Sequence, residues 1–348
     1  MVKLKSLLSI DIGSDRIKLV QGYYRKDTLY IEKIGHLPVP EYSIEKERIK
    51  NGKALADDII NYINKQNIKT KDVVITINAV GSVIRDIDLP KANPKELNSM
   101  LENEMIHTYH VSETDFIQYK LLDTFKDEAG TTLDKYRVAA LSADIIGEYH
   151  ELVKMMKLNP VAMDINLNCM DKLLNKFTTI NGQNIADKTV MFVDLGAQNT
   201  TVYINSMGKQ RVSRNLNIGS SEVEKIVSDE TLTSTKVIKK MKEEGFNFLS
   251  KEYENEQYYS ILKSYFYNLD QELRNIIRFY TSRFESDSVT QVFLMGGGSA
   301  LSGLSEYLQE NLNMPVERVQ KILNINDDKI SESTMHAYLN AFGALIRC

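Results

Sequence analysis

The sequence TVMFVDLGAQNTTVYIN, residues 189–205, predicts two strands joined by a glycine turn. The apolar run at residues 190–193 is typical of a buried strand, and it stops at Asp194. Gly196 follows, and a β-branched strand resumes at Thr200. A carboxylate, a glycine that lets the backbone approach a ligand, and a hydroxyl together fit a phosphate and its metal ion. A plain β-hairpin has the same pattern, so this segment alone leaves both interpretations open.

A second segment repeats this pattern near the start of the chain. Residues 7–20 read LLSIDIGSDRIKLV, in which an apolar strand ends at Asp11 and is followed by Gly13 and Ser14. Another strand begins near Ile17. Two such hairpins far apart in one chain suggest two similar halves that face each other. A polyphosphate would lie between them.

A glycine triplet follows a third apolar strand. Residues 292–303 read VFLMGGGSALSG, with Gly296, Gly297 and Gly298 at the strand end and a helix predicted from near Leu301. Successive glycines let the backbone lie against a base or sugar where a Cβ would collide, and a helix start suits an anion. A flexible turn has the same composition. The two aspartate turns elsewhere in the chain favour the ligand.

Composition limits the class of protein. The chain has 348 residues, 43% hydrophobic and 26% charged, which is typical of a globular protein of two or three domains. Its net charge of -4 argues against a dedicated nucleic-acid binder. The two cysteines, Cys169 and Cys348, provide no disulfide framework, which favours the cytosol. No segment reaches the roughly 18 apolar residues of a membrane span, so we expect any membrane role to come through a partner or a surface.

The rest of the pattern predicts an α/β fold, because strands alternate with helices over residues 53–66, 94–107, 144–157 and 259–284. Residues 81–160 have the pattern of a small α+β subdomain inserted in the first half. The charged residues 236–259 predict a solvated helical face. A last helix, predicted over residues 336–347, has one apolar side that we expect to be buried rather than to anchor a membrane.

The three glycine motifs resemble those of the actin, sugar kinase and heat-shock chaperone ATPase superfamily, in order and in rough spacing. The matching segments for its first phosphate, second phosphate and adenosine motifs are Asp11-Ile-Gly13, Asp194-Leu-Gly196 with Thr200, and Gly296-Gly297-Gly298. Residues 163–174 and the ending NAFGAL resemble its two connecting helices. Within the superfamily the chain resembles the PilM family of type IV pilus assembly, through DIGSDRIKLV, PKELNSMLENEMIHTYHVSETDF, IGSSEVEKIV, QELRNIIRFY and FLMGGGSALSGLSEYLQENLNMPV.

This resemblance implies a fold class and a domain order. The fold would be a two-domain actin-like, ribonuclease-H-like α/β fold, with a small α+β subdomain inserted in the first domain as in the cell-division protein FtsA. The implied segments are the first domain at 1–80 and 161–188, the inserted subdomain at 81–160, the second domain with its helical subdomain at 189–322, and a C-terminal return to the first domain at 323–348.

The resemblance also implies ATP and Mg²⁺ as ligands in a central cleft. Asp11 and Asp194 would hold Mg²⁺ through its water ligands. Lys18 would counter a phosphate charge, although a solvent-facing strand lysine is an alternative. The other residues implied for the nucleotide are Gly13, Ser14, Gly196, Asn199, Thr200, Gly219, Glu272, Asn275, Gly296, Gly297 and Gly298. For Glu272 with Asn275, an ordinary surface pair one helical turn apart remains the alternative.

Two segments depart from the family pattern. PilM proteins usually have Glu-x-x-x-x-Ile-Pro-Phe in the inserted subdomain, whereas residues 104–111 read EMIHTYHV. At the first connecting helix, Asp-x-Glu-Pro becomes Asp164-Ile-Asn166-Leu167. Asn166 does not accept a proton as a carboxylate does. If this position orders the attacking water, we expect slow or no ATP hydrolysis.

The leading hypothesis is therefore a cytoplasmic ATP-binding scaffold of pilus assembly, held at the inner face of the membrane through a partner. The family implies that this partner is a PilN-like inner-membrane protein, bound through its cytoplasmic N-terminal peptide, and self-association stays open. The alternatives are an FtsA- or MreB-like filament protein and a small-molecule kinase. A zinc site at Glu104, His107 and His110 is a weaker alternative, because this spacing drifts around a helix.

Overall fold

The structure is a computed structural model, and it describes residues 5–45, 47–78, 81–252, 256–284, 287–326 and 330–347. The strands in these ranges are β1 (Leu7–Ile12), β2 (Arg16–Arg25), β3 (Thr28–Pro38), β4 (Ile44–Glu45), β5 (Arg48–Ile49), β6 (Asp72–Ile77), β7 (Val83–Pro90), β8 (Phe116–Lys126), β9 (Thr132–Leu141), β10 (Asn159–Ile165), β11 (Thr179–Ile180), β12 (Gln183–Asn184), β13 (Thr189–Leu195), β14 (Thr200–Ser206), β15 (Lys209–Leu216), β16 (Gln291–Met295), β17 (Val316–Arg318) and β18 (Ile325–Asn326).

The helices in the same ranges are α1 (Gly52–Lys65), α2 (Pro94–His107), α3 (Ala143–Met155), α4 (Asn166–Lys176), α5 (Ser221–Thr231), α6 (Thr235–Glu243), α7 (Glu256–Arg283), α8 (Leu304–Leu312) and α9 (Leu339–Leu345). The chain divides into two compact units. One unit comprises Met1–Val39, Asn61–Asn78 and Asn159–Cys348, and the other comprises Pro40–Ile60 and Ala79–Leu158. The predicted domain boundary at residue 80 lies outside the described residues.

The larger unit contains a six-stranded sheet in the order β10-β6-β1-β2-β3-β18. Its central strand β1 runs antiparallel to β2 and parallel to β6. Helix α9 packs against β1, β2 and β6, and β1 and β6 are buried along nearly their whole length. Leu8 and Ile10 of β1 and Val73 of β6 are completely buried.

A second sheet in the same unit has the order β15-β14-β13-β16-β17. Strand β13 is central, antiparallel to β14 and parallel to β16. Helices α5, α7 and α8 contribute Val223, Phe266 and Leu308 to the core that covers this sheet. The carboxyl end of β13, where Asp194 lies, is therefore held by pairing on both edges.

The helices α4 and α9, which the sequence predicted as connecting helices, pack against each other at unusually close range. A Cβ on Gly343 of α9 would lie 2.1 Å from the carbonyl oxygen of Cys169 in α4. Real Cβ atoms do not approach backbone oxygen so closely. Only glycine at residue 343 therefore allows this helix crossing.

The smaller unit contains the three-stranded antiparallel sheet β7-β9-β8, with α2 packed on one face. Leu97, Leu101 and Met105 of α2 meet Tyr136 and Val138 of β9 in its core. Asn93 caps α2, because its side-chain oxygen accepts hydrogen bonds from the backbone N–H groups of residues 95 and 96. The sheet and the helix together form a small α+β body.

Several helix ends differ from the sequence prediction. The helix after the glycine triplet begins at Leu304 instead of near Leu301, because Gly297–Ala300 forms a short 3-10 turn. The charged residues 236–259 do not form one continuous helix, since α6 ends at Glu243, just before Gly245 adopts φ of 82°. Residues 253–255 of that segment lie outside the described residues. The last helix is α9, shorter than predicted.

We expect Gly343→Ala to lower the free energy of unfolding by about 1–3 kcal/mol, because the added methyl group meets the Cys169 carbonyl. The matched control is Gly147→Ala in α3, where a Cβ meets no atom within 4 Å. That variant should gain about 0.5–1 kcal/mol from helix propensity. Urea unfolding followed by circular dichroism measures both. Equal effects of the two substitutions would contradict the close helix crossing.

Candidate functional site

The first aspartate hairpin joins β1 to β2. Asp11 lies opposite Lys18 in the strand register, and the Lys18 Nζ lies 3.0 Å from the Asp11 Oδ2. The other carboxylate oxygen of Asp11 accepts a hydrogen bond of 2.9 Å from the Thr76 hydroxyl of β6. At the turn, the Gly13 N–H donates to the Arg16 carbonyl at 3.1 Å. Asp11 is 3% exposed, so its charge is held by these partners and not by bulk water.

The second hairpin places Asp194 at the end of β13. The side-chain amide of Asn340, in α9, donates to the Asp194 Oδ2 at 2.9 Å. The Gly196 N–H donates to the Asn199 carbonyl at 2.9 Å, which closes the turn as the Gly13 bond closes the first. The two turns are therefore built alike.

Electrostatic interactions show that the two hairpins meet around Lys18. Burial would lower the pKa of Lys18, but attraction to Asp11 and to Asp194 outweighs it and raises the pKa above its ordinary value. Burial raises the pKa of Asp194, and the nearby Lys18 and the Asn340 hydrogen bond partly offset this effect. One ammonium group therefore attracts two carboxylates that come from different sheets.

The glycine triplet packs against the second hairpin. Gly296 has φ of 81°, and a Cβ there would lie 2.3 Å from the Asp194 Oδ1. A Cβ on Gly298 would lie 2.6 Å from the Cβ of Ser220 and 2.7 Å from the Cγ of Leu195. A Cβ on Gly297 would meet nothing within 4 Å. Two of the three glycines thus serve the protein's own packing, and Gly297 faces open space.

Gly219 lies against the same turn and is held by α7. A Cβ on Gly219 would lie 2.3 Å from the Ala197 carbonyl oxygen. The Tyr265 hydroxyl of α7 accepts from the Gly219 N–H at 3.0 Å and donates to the Gly219 carbonyl at 2.5 Å. The Ser220 N–H donates to the Gly196 carbonyl at 2.9 Å. These bonds join the second hairpin to the start of α5.

For three residues, Thr200, Glu272 and Asn275, the structure gives less direct support to the predicted contact with a nucleotide. The Thr200 hydroxyl is buried and donates to the Ile218 carbonyl at 2.7 Å, so in this conformation its hydrogen is used within the protein. Glu272 and Asn275 are exposed on α7, and Asn275 accepts a hydrogen bond from Arg278. No hydrogen bond or ion pair among the described residues joins Glu272 or Asn275 to Asp11 or Asp194. Their contacts to a nucleotide stay predictions.

The described part of the chain contains no group of three or more His, Cys, Asp or Glu side chains arranged to hold a metal ion. The zinc alternative at Glu104, His107 and His110 is therefore wrong. Asp11 and Asp194 offer two carboxylates, which suits a hydrated Mg²⁺ that keeps most of its own water ligands. Among the described helices, none has the length and apolar character needed to cross a membrane.

The sequence profile of the family described as type IV pilus assembly protein PilM matches residues 9–345. The chain belongs to the PilM family. This match confirms the predicted family over nearly the whole length of the chain. A sequence comparison with curated proteins found no match.

Solved structures of low sequence identity share the fold of this PilM-family chain. In a PilM-PilN type IV pilus biogenesis complex, one chain matches with a TM-score of 0.80 and 18% identity, over 97% of each chain. Ethanolamine utilization protein EutJ from Carboxydothermus hydrogenoformans gives 0.58 and 10% identity, over 99% of this chain and 90% of that one. MreB5 of Spiroplasma citri bound to AMPPNP gives 0.54 and 10%, over 98% and 95%. These matches confirm the two-domain actin-like α/β fold.

At the first connecting helix, this PilM-family chain departs from the family pattern at Asn166. Asn166 is 7% exposed, and its side-chain oxygen has no hydrogen-bond partner among the described residues. Asp164 accepts from Asn168 at 2.8 Å, Lys172 at 2.7 Å and Arg347 at 3.0 Å. The nearby carboxylate is thus occupied by three side-chain donors, two of them cationic, and by the backbone N–H of Ile165.

Two ion pairs connect the first hairpin turn to α6. Lys239 lies 3.2 Å from Asp15, and Arg16 lies 3.2 Å from Glu243, with all four side chains about half exposed. Ile238 of α6 belongs to the core beneath the second sheet. These pairs therefore join the turn of one sheet to a helix that packs with the other.

The sequence analysis missed Thr76, Asn340 and Tyr265 as site residues. Thr76 reaches Asp11 only because β6 pairs with β1, and this pairing depends on sheet order. Asn340 was part of the predicted connecting helix, but its contact with Asp194 spans 146 residues of sequence. Tyr265 lies in a long amphipathic helix in which no local signal distinguishes it from core aromatic residues.

We expect Lys18→Met to lower the free energy of unfolding by about 3 kcal/mol at pH 7.5, because it leaves two buried carboxylates without their cation. The loss of Lys18 should raise the pKa of Asp194 further. A carboxyl whose folded pKa exceeds its unfolded value of about 3.9 stabilises the fold at low pH. The deficit should therefore shrink as the pH falls from 7.5 toward 5.

Urea unfolding at several pH values measures this effect. The control is Lys239→Met, which removes a half-exposed ion pair and should cost less than about 1 kcal/mol at each pH. A Lys18→Met protein as stable as wild type at pH 7.5, or a deficit that grows as the pH falls, would contradict the central role of Lys18.

Proposed function

We propose that this PilM-family chain is an ATP-binding scaffold of the type IV pilus assembly machinery. The observation that carries this proposal is the meeting of Asp11, Lys18 and Asp194 beside the glycine triplet. The two carboxylates lie near strand ends, and the ammonium group lies on the strand that follows Asp11. Together they form a charged centre in the larger unit. Such a centre is suited to a polyphosphate with a divalent cation.

The residues around this centre fit that ligand. Bound Mg²⁺ would neutralise phosphate charge and link the phosphates to the protein through its water ligands. Lys18 would bind phosphate oxygens, and Gly297 leaves open space beside the site. The side-chain oxygen of Asn340 and the ring Nδ1 of His336 are buried without hydrogen-bond partners among the described residues. Buried polar atoms of this kind are normally satisfied by a ligand or by water.

The same residues favour binding over turnover. Hydrolysis of ATP needs a group that orients or deprotonates water. Asn166 is an amide, and Asp164 already accepts bonds from Asn168, Lys172 and Arg347. We therefore propose slow or absent hydrolysis, which is suited to a scaffold whose nucleotide is a structural ligand.

The proposed partner is a PilN-like inner-membrane protein, bound through its cytoplasmic N-terminal peptide. Membership of the PilM family supports this proposal, together with the similarity to the chain in the PilM-PilN complex. Such a partner would hold the chain at the inner face of the membrane. ATP would fix the angle between the two sheets, and this angle would control partner binding.

We expect Asp11→Asn and Asp194→Asn each to weaken ATP binding in Mg²⁺ at least tenfold, because each removes one of the two negative charges that hold the cation. Isothermal titration calorimetry on the purified chain measures the dissociation constant. Asp86→Asn is the matched control, since Asp86 also pairs with a basic residue, Arg137, but belongs to the smaller unit.

The control should bind ATP as the wild type does. Circular dichroism of each variant separates a binding defect from a folding defect. Unchanged ATP affinity in both well-folded site variants would overturn the nucleotide site.

We expect a synthetic peptide with the cytoplasmic N-terminal sequence of the PilN-like protein to bind the chain, with affinity that changes when ATP and Mg²⁺ are added. Fluorescence anisotropy of the labelled peptide measures this affinity, and a scrambled peptide is the control. No binding to any such peptide, in the presence of normal ATP binding, would remove the partner and leave the nucleotide site intact.

A further inference from the structure

We propose that Asn340 is a positioning residue of this site, one that orients the Asp194 carboxylate for the divalent cation. This proposal rests on the proposed function, because it assigns a role toward the same ligand. Asn340 lies in α9, far from Asp194 in sequence, and belongs to none of the three glycine motifs.

The Asp194 carboxylate is fixed on both sides. Its Oδ2 accepts the hydrogen bond of 2.9 Å from the Asn340 Nδ2. Its Oδ1 lies so close to Gly296 that a Cβ there would be only 2.3 Å away. Gly296 in turn donates its N–H to the carbonyl of His336, four residues before Asn340 and just ahead of α9. The segment that contains His336 and Asn340 therefore holds both Asp194 and the glycine that supports it.

The Asn340 side chain donates one hydrogen bond to the residues that the structure describes and accepts none from them. The residue is 5% exposed, and its Oδ1 has no hydrogen-bond partner among the described residues. A buried amide oxygen without a partner is costly, so its retention beside Asp194 indicates a donor that arrives with the ligand. A water molecule held by the cation would be such a donor.

The Asn340 hydrogen bond also crosses between the two sheets. Helix α9 packs on β1, β2 and β6 of the six-stranded sheet, whereas Asp194 ends β13 of the five-stranded sheet. A change in the position of Asp194 on cation binding would therefore be transmitted directly to α9. This makes Asn340 a link between ligand binding and the contact of the two sheets.

The test measures ATP affinity in Mg²⁺ and in EDTA, by titration calorimetry, for the wild type, Asn340→Leu and Asn340→Asp. Leucine keeps the branched shape of the side chain but has no amide, and aspartate replaces the donor by a group that repels Asp194. We expect the factor by which Mg²⁺ raises the ATP affinity to fall at least tenfold in both variants, with the affinity of Asn340→Leu in EDTA unchanged. A merely structural role would lower both affinities together.

The matched control is Asn168→Leu, which removes the same kind of bond, from an asparagine amide to the buried carboxylate of Asp164. Its Mg²⁺ enhancement should equal that of the wild type. If Asn340→Leu does not fold, as judged by circular dichroism, Asn340→Ser is the second variant, with the same expected result.

Two outcomes would overturn this role. A wild-type Mg²⁺ enhancement in the folded Asn340 variants would do so, and so would an equal loss of affinity in Mg²⁺ and in EDTA. Both leave the proposed nucleotide site standing. Absence of ATP binding by the wild-type chain would instead overturn the proposed function itself.

Discussion

The structure of the site depends on one buried interaction, the attraction of the Lys18 ammonium group to the carboxylates of Asp11 and Asp194. Removing these charges from water is costly, and two carboxylates without a cation would repel each other. The Thr76 hydroxyl and the Asn340 amide each donate a hydrogen bond to one carboxylate, which further stabilises its charge. Because these groups come from two sheets and from α9, their interactions constrain how all three meet.

This arrangement supports the proposal that the chain holds a nucleotide rather than consuming it. Its charged centre has the groups that phosphate and a divalent cation need. At the first connecting helix, where a base would act on water, the chain has Asn166 and an Asp164 that is already bound by Lys172 and Arg347. A scaffold of pilus assembly requires a stable shape that depends on its ligand, and it does not require rapid turnover. Nucleotide binding with slow hydrolysis therefore agrees with a scaffold role.

The fold and the charged centre could be predicted because their signals are local. Each motif is a strand followed by a turn, and the family match over residues 9–345 confirms the family to which these motifs pointed. Contacts that depend on strand register and on helix packing could not be predicted from the sequence, as Thr76 and Asn340 illustrate. The sequence favours a ligand contact over a flexible turn for the triplet, yet Gly296 and Gly298 are needed for packing against the second hairpin. A sequence pattern indicates that side chains must be absent but not which atoms require the space.

The pairs Asp15–Lys239 and Arg16–Glu243 differ from the buried centre in their exposure to water. An exposed ion pair typically contributes only about 0–1 kcal/mol, whereas breaking a buried pair by removing one partner costs about 3–5 kcal/mol. The outer connection between the first hairpin and α6 is therefore much weaker than the Lys18 centre. The first hairpin is therefore joined to the second sheet by contacts of unequal strength, and the buried centre contributes far more to their cohesion than the exposed pairs do.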